Sequence, residues 1–200
     1  HFGNSADWGV HVLGTSGMVS YNVAAVNGGG YKNPTRSKGM DLEGRVSVEP
    51  VKGLTFAAGA DTGKQGKDLE GTPAKRTTTR YDLLAAYKNK QFRVGAEYFW
   101  ESDWGFTGSA QSDAGDGYSL FGDVVLSGPV SAFARWDHDK TSKKLHPAME
   151  EDYFNGGLQW HAFAGIDVAL VYKHDHIDNP ASTGTVTKYD EFGVFSQVAF

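Results

Sequence analysis

The closing stretch of the chain, Tyr189–Phe200 (YDEFGVFSQVAF), alternates with a period of two. Counting back from Phe200, Val198, Ser196, Val194 and Phe192 share one parity, and Ala199, Gln197, Phe195, Gly193 and Glu191 share the other. A strand demands this period because successive side chains point to opposite faces. One parity is mostly apolar and the other mixed, and no proline breaks the run. About ten such residues suffice to cross a bilayer as a tilted strand.

Ten earlier stretches read the same way: Trp8–Leu13, Met18–Val26, Met40–Val48, Leu54–Ala60, Thr79–Lys88, Gln91–Glu101, Gly117–Leu126, Val130–Asp137, Asp152–Trp160 and Ile166–Lys173. Met40–Val48 is the cleanest, with Met40, Leu42, Val46 and Val48 set against Asp41, Glu43, Arg45 and Ser47. Their connections alternate in length. Gly14–Gly17, Glu49–Gly53, Lys88–Lys90, Ser127–Pro129 and His161–Gly165 are short, whereas Asn27–Gly39, Asp61–Thr78, Ser102–Asp116, Thr141–Glu150 and Asp175–Thr187 are long and polar. A soluble meander has no physical reason to place every long loop at one end. Outer-membrane barrels do so, with short turns on one side and long loops on the other.

Composition is compatible with that reading and excludes others. No run of eighteen apolar residues exists, so no transmembrane helix is expected. His1–Asn4 lacks the basic and apolar regions of a signal peptide. The chain has no cysteine, which rules out disulfides and Cys–metal sites, and a net charge of −5 argues against nucleic acid as a partner. Hydrophobic residues make up only 40%, but lipid-facing and lumen-facing residues cancel in any barrel average. Trp8, Tyr81, Tyr98, Trp100, Tyr118, Trp136 and Tyr172 fall on outward parity near the long loops. Tyr87, Phe92, Trp160 and Phe200 do so near the short turns. Two such belts suit rings held at two water–lipid interfaces.

The terminal strand ending in Phe200 resembles that of bacterial outer-membrane β-barrels. Three further stretches resemble the later half of proteobacterial porins related to the phosphate-selective type: NGGGYKNPTRSKGMDLEGRVSVEPVKGLTFAAGADTGKQG, YDLLAAYKNKQFRVGAEYFW and EEDYFNGGLQWHAFAGIDVALVYKHD. The resemblance covers essentially the whole chain and consists of strand-and-turn texture, with no catalytic fingerprint. It implies an all-β antiparallel transmembrane barrel in the outer membrane of a Gram-negative bacterium. It also implies a water-filled channel for small hydrophilic solutes, contact with lipid and lipopolysaccharide, a homotrimer, no cofactor, and recognition of Tyr189–Phe200 by the barrel-insertion machinery. Single-chain bacterial barrels have even strand numbers. About eleven strands therefore mean either that the count is off by one or, the preferred reading, that residues 1–200 are the carboxyl-terminal part of a larger barrel of about 16 strands.

On inward parity lie Asp41, Glu43, Arg45, Asp61, Arg80, Asp82, Arg93, Glu97, Asp123, Arg135, Asp137, Asp167, Lys173 and Glu191. Charges facing lipid are costly near the midplane, so these residues are expected to face water. Arg45, Arg80, Arg93 and Arg135 are candidates for a basic ladder, because Arg stays charged and offers a fork to carboxylate or phosphate. Equally, they could pair with acids on neighbouring strands and brace the wall. Loop charge points both ways. Lys32, Arg36, Lys38, Lys64, Lys67, Lys75 and Arg76 would attract anions, whereas Glu101, Asp103, Asp113 and Asp116 would repel them. Phosphate specificity is therefore not carried over from the resemblance.

Two further readings compete. A soluble β-sandwich would use Trp8, Trp100, Trp104 and Trp136 as stacking platforms for carbohydrate. An outer-membrane enzyme would use rim groups drawn from Asp137-His138-Asp139 and His174-Asp175-His176-Ile177-Asp178. His138, His174 and His176 are also weak candidates for metal ligation, although their spacing matches no known fingerprint.

Overall fold

A computed structural model describes residues 7–32, 37–163, 165–179 and 185–198. Eleven strands form one antiparallel sheet in which each strand pairs with its sequence neighbours, in the order β1 to β11. They are β1 (Gly9–Ser16), β2 (Val19–Val26), β3 (Asp41–Val51), β4 (Leu54–Gly63), β5 (Thr78–Lys88), β6 (Phe92–Ser102), β7 (Ala114–Ser127), β8 (Val130–Lys140), β9 (Glu150–Phe163), β10 (Ile166–Asn179) and β11 (Thr185–Val198). No second sheet exists among the described residues, so the two-sheet sandwich is not the fold. β1 and β11 do not pair with each other, and the sheet is open at both edges. Phe200, His1–Asn4 and Arg36 lie outside the described residues.

All eleven expected strands are present, and the short and long connections alternate as expected, with one correction. The segment Asp175–Thr187 is not a long loop. β10 continues to Asn179 and β11 already begins at Thr185, with Asp175 facing Tyr189 and Ile177 facing Thr187 in register.

The two faces differ sharply. Leu83, Val94, Leu120, Leu158, Leu170 and Val194 stand on one face and are exposed. Glu43, Asp82, Glu97, Asp137 and Asp139 stand on the other and are half-buried. Buried apolar side chains among the described residues are only Ala24, Val26, Ala57, Phe99 and Val171. A water-soluble chain of this length removes roughly 70% of its surface on folding, around an apolar interior that this sheet lacks.

Rings on the apolar face form a near-continuous band toward the long connections. Tyr81 stacks on Trp100 at 5.7 Å, Trp136 meets Tyr118 edge-on at 5.3 Å, and Tyr172 lies 4.8 Å from Phe192. Toward the short turns, Tyr87 and Phe92 are 5.8 Å apart and Trp160 is exposed.

The long connections are tied to one another. Lys38 N–H donates to the Asp68 carbonyl, Lys75 and Arg76 N–H both donate to the Thr107 carbonyl, and Lys143 N–H donates to the Ala114 carbonyl. Asp113 is the hub of the last junction and is only 1% exposed. Its carboxylate accepts from Ser142 Oγ at 2.5 Å and from the N–H groups of Ala114, Lys144 and Leu145 at 2.8, 3.0 and 3.3 Å. Burial alone would raise its pKa, but these donors together hold it below 3.8. A carboxyl whose folded pKa is depressed stabilises fully above its ordinary value and loses that contribution as pH falls through the folded one. The junction between residues 103–113 and 141–149 should therefore resist proteolysis above pH 3.8 and loosen only below it. Asp113→Ala strands several donors at a cost of about 1–3 kcal/mol, so these loops should be cleaved readily at neutral pH.

Candidate functional site

The polar face is concave. One hollow of about 390 Å³ runs from Asn22 on β2 to Arg135 on β8. A second, of about 870 Å³, runs from Leu84 on β5 to Gln197 on β11. Side chains from strands far apart in the sheet line the same space, so the sheet curls with its charged face inside.

Each of the four arginines meets an acid there. Arg45 Nη1 lies 2.6 Å from Asp82 Oδ2, and its Nη2 lies 3.6 Å from Glu97. Arg93 pairs with Asp123 at 2.6 Å and Arg135 with Asp137 at 2.8 Å. Lys173 lies 3.4 Å from Glu191. Arg45, Arg80 and Arg93 thus pair with acids on other strands, as one of the two expectations had it, whereas Arg135 pairs within β8. Arg45 reaches past β4 to β5 because Gly59 stands between it and Asp82 in the same row. A Cβ on Gly59 would collide with the Asp82 carboxylate.

Arg80 is the least exposed of the four. Its Nε and Nη2 both donate to Glu101 Oε2, at 3.0 and 2.7 Å. The guanidinium also lies 4.8 Å from the Phe99 ring and 4.2 Å from the Trp104 ring. Trp104 is therefore on the concave side, whereas Trp8, Trp100 and Trp136 are exposed. The parity of β6 could not have placed Trp104, because Asp103 turns the chain with φ of +54°. The connection carrying Trp104 leans over the concave face, and its neighbour supports it through Arg76, which donates to the carbonyls of Ser109 and Ala110.

Asp41 is buried, with its carboxylate accepting the N–H groups of Lys64 and Gln65 at 2.7 Å each. It latches the β4–β5 connection. Glu43 and Asp61 stand opposite each other in register on β3 and β4.

The three histidines do not gather into one ligand set. His138 pairs with Asp152 at 2.8 Å, His174 with Asp190 at 2.8 Å, and His176 lies 3.5 Å from Asp178. In Asp137-His138-Asp139 the histidine stands on the opposite face from its flanking acids, as alternation along β8 requires. No group of three metal-ligating side chains converges among the described residues.

Ser119 was not legible as a site residue. It is 4% exposed on the concave face between Glu97 and Asp137 in register, and its Oγ has no hydrogen-bond partner.

No family model matches the chain, and no curated protein matches it in sequence.

The Arg80–Glu101 pair offers a direct test of this wall. Arg80→Met should leave Glu101 buried beside an apolar side chain and cost about 3–5 kcal/mol. Adding Glu101→Met should restore most of that stability. Thermal unfolding in detergent, read by circular dichroism, distinguishes a recovered double variant from an additive one.

Proposed function

We propose that the sheet is the wall of an outer-membrane porin, with its apolar face in lipid and its charged concave face lining a water-filled channel for small hydrophilic solutes. The observation that carries this reading is the inverted burial: Leu83, Val94, Leu170 and Val194 are exposed while charged side chains crowd the concave side. An exposed apolar surface of this extent marks a binding or membrane surface. The aromatic bands fit water–lipid interfaces. Beyond the band near the long connections, the outer face turns polar, with His138, Lys140, Asp152, His174 and Asp190, where headgroups and water would meet it. The strand-and-turn texture shared with proteobacterial porins points the same way.

Lipid cannot satisfy the open edges of β1 and β11, so this reading includes closure of the sheet by further strands into a barrel of about 16.

The protein closed by those further strands, purified and reconstituted into planar bilayers, should give discrete, ohmic current steps, and it should leave membranes only when detergent is added. A protein that stays monomeric in detergent-free buffer and gives no steps would overturn the proposal.

A further inference from the structure

We infer that the concave hollow lined by β5 to β9 favours cations, so that the permeant class is cationic despite the basic residues visible along the chain. This inference rests on the channel reading and adds the charge class to it.

The argument starts from the ion pairs. A hollow of about 380 Å³ is lined by Ser119, Arg135, Asp137, Asp139, Glu151 and Arg80, among others. Arg80 is matched by Glu101, and Arg135 by Asp137. Those pairs cancel locally. Asp139 on β8 faces Glu151 on β9, and Glu151 is followed in register by Ile177 on β10, two residues from Asp175. None of Asp139, Glu151 and Asp175 forms an ion pair with Lys, Arg or His among the described residues, so the charge that the described side chains leave over here is negative.

A second observation is independent of that tally. The Ser119 hydroxyl is buried against the hollow with no partner, and Asp175 Oδ1 is likewise buried and unpartnered. Buried polar atoms without partners are uncommon and call for an explanation. A donor-rich cation passing the carboxylates supplies one at Ser119, which lines the hollow: ammonium N–H groups or the water shell of a metal ion could donate to its Oγ. The carboxylates do not converge as a chelating set, so the hollow suits hydrated monovalent ions and organic amines rather than a tightly held metal.

The anion case is weaker at the same place. The guanidiniums that would receive phosphate or carboxylate already hold carboxylates at 2.6–2.8 Å. An entering anion would have to displace them while passing Asp139 and Glu151.

The test uses the protein with the strands that close the sheet, in planar bilayers under a potassium chloride gradient. The reversal potential should have the sign of potassium preference. Spermine at low salt should reduce the single-channel current, and inorganic polyphosphate should not. The triple variant Asp139→Asn, Glu151→Gln, Asp175→Asn should keep its current steps but lose several-fold in the potassium-to-chloride permeability ratio. Steps with chloride preference, or indifference of the unmodified protein to spermine, would overturn the cation assignment and leave the channel standing. Absence of steps altogether would overturn both.

Discussion

A single-layered sheet has no interior, and everything else in this molecule depends on that constraint. Each strand satisfies its backbone by pairing sideways, and its side chains have only two places to go. With one sheet and no helix or second sheet among the described residues to cover it, both faces meet the surroundings. The sequence then decides which face can meet which medium. One face carries Leu83, Val94, Leu120 and Val194; the other carries Arg45, Asp82, Arg93 and Glu97. Curling the sheet with the charges inside lets them pair across strands and leaves the apolar residues outward.

The charged face is organised by pairing, and glycine sets where pairing can reach. Gly59 lets Arg45 cross a strand to Asp82. Gly95 lies under the ring of Phe121, and Gly157 under that of Phe133, so bulky side chains lie flat against the wall rather than filling the hollow. The long connections add a second level of order. They are linked through Asp41, Arg76 and Asp113, and Trp104 is laid on Arg80. The rim is thereby fastened to the wall beneath it.

Strand number, strand order and face were legible in the sequence because period-two alternation is a local signal that requires no knowledge of partners. It failed where its physical basis ended. In His174–Asp178 and Lys188–Asp190 charged and polar residues fall on both parities, with only Ile177 and Tyr189 apart, so apolar alternation fades although the hairpin of β10 and β11 continues through these residues. Parity also placed the four arginines on the concave side but could not name their partners, since Asp82 is two strands from Arg45. Glu101 closes the Gln91–Glu101 stretch as expected, but its charge was counted with the loops and is instead buried under Arg80. Alternation also says nothing of why Gly59, Gly95, Gly117 and Gly157 sit within strands, where a neighbour's side chain needs their space.

The central claim is that the exposed apolar face contacts lipid and the concave face contacts water. The chain has no cysteine, so single spin labels can be placed through Leu83→Cys and Val94→Cys on one face and Ser131→Cys and Gln159→Cys on the other. In reconstituted bilayers the first two labels should collide chiefly with dissolved oxygen, and the last two with a water-soluble nickel chelate. Nickel-accessible labels at residues 83 and 94 together with oxygen-favoured labels at 131 and 159 would contradict the account.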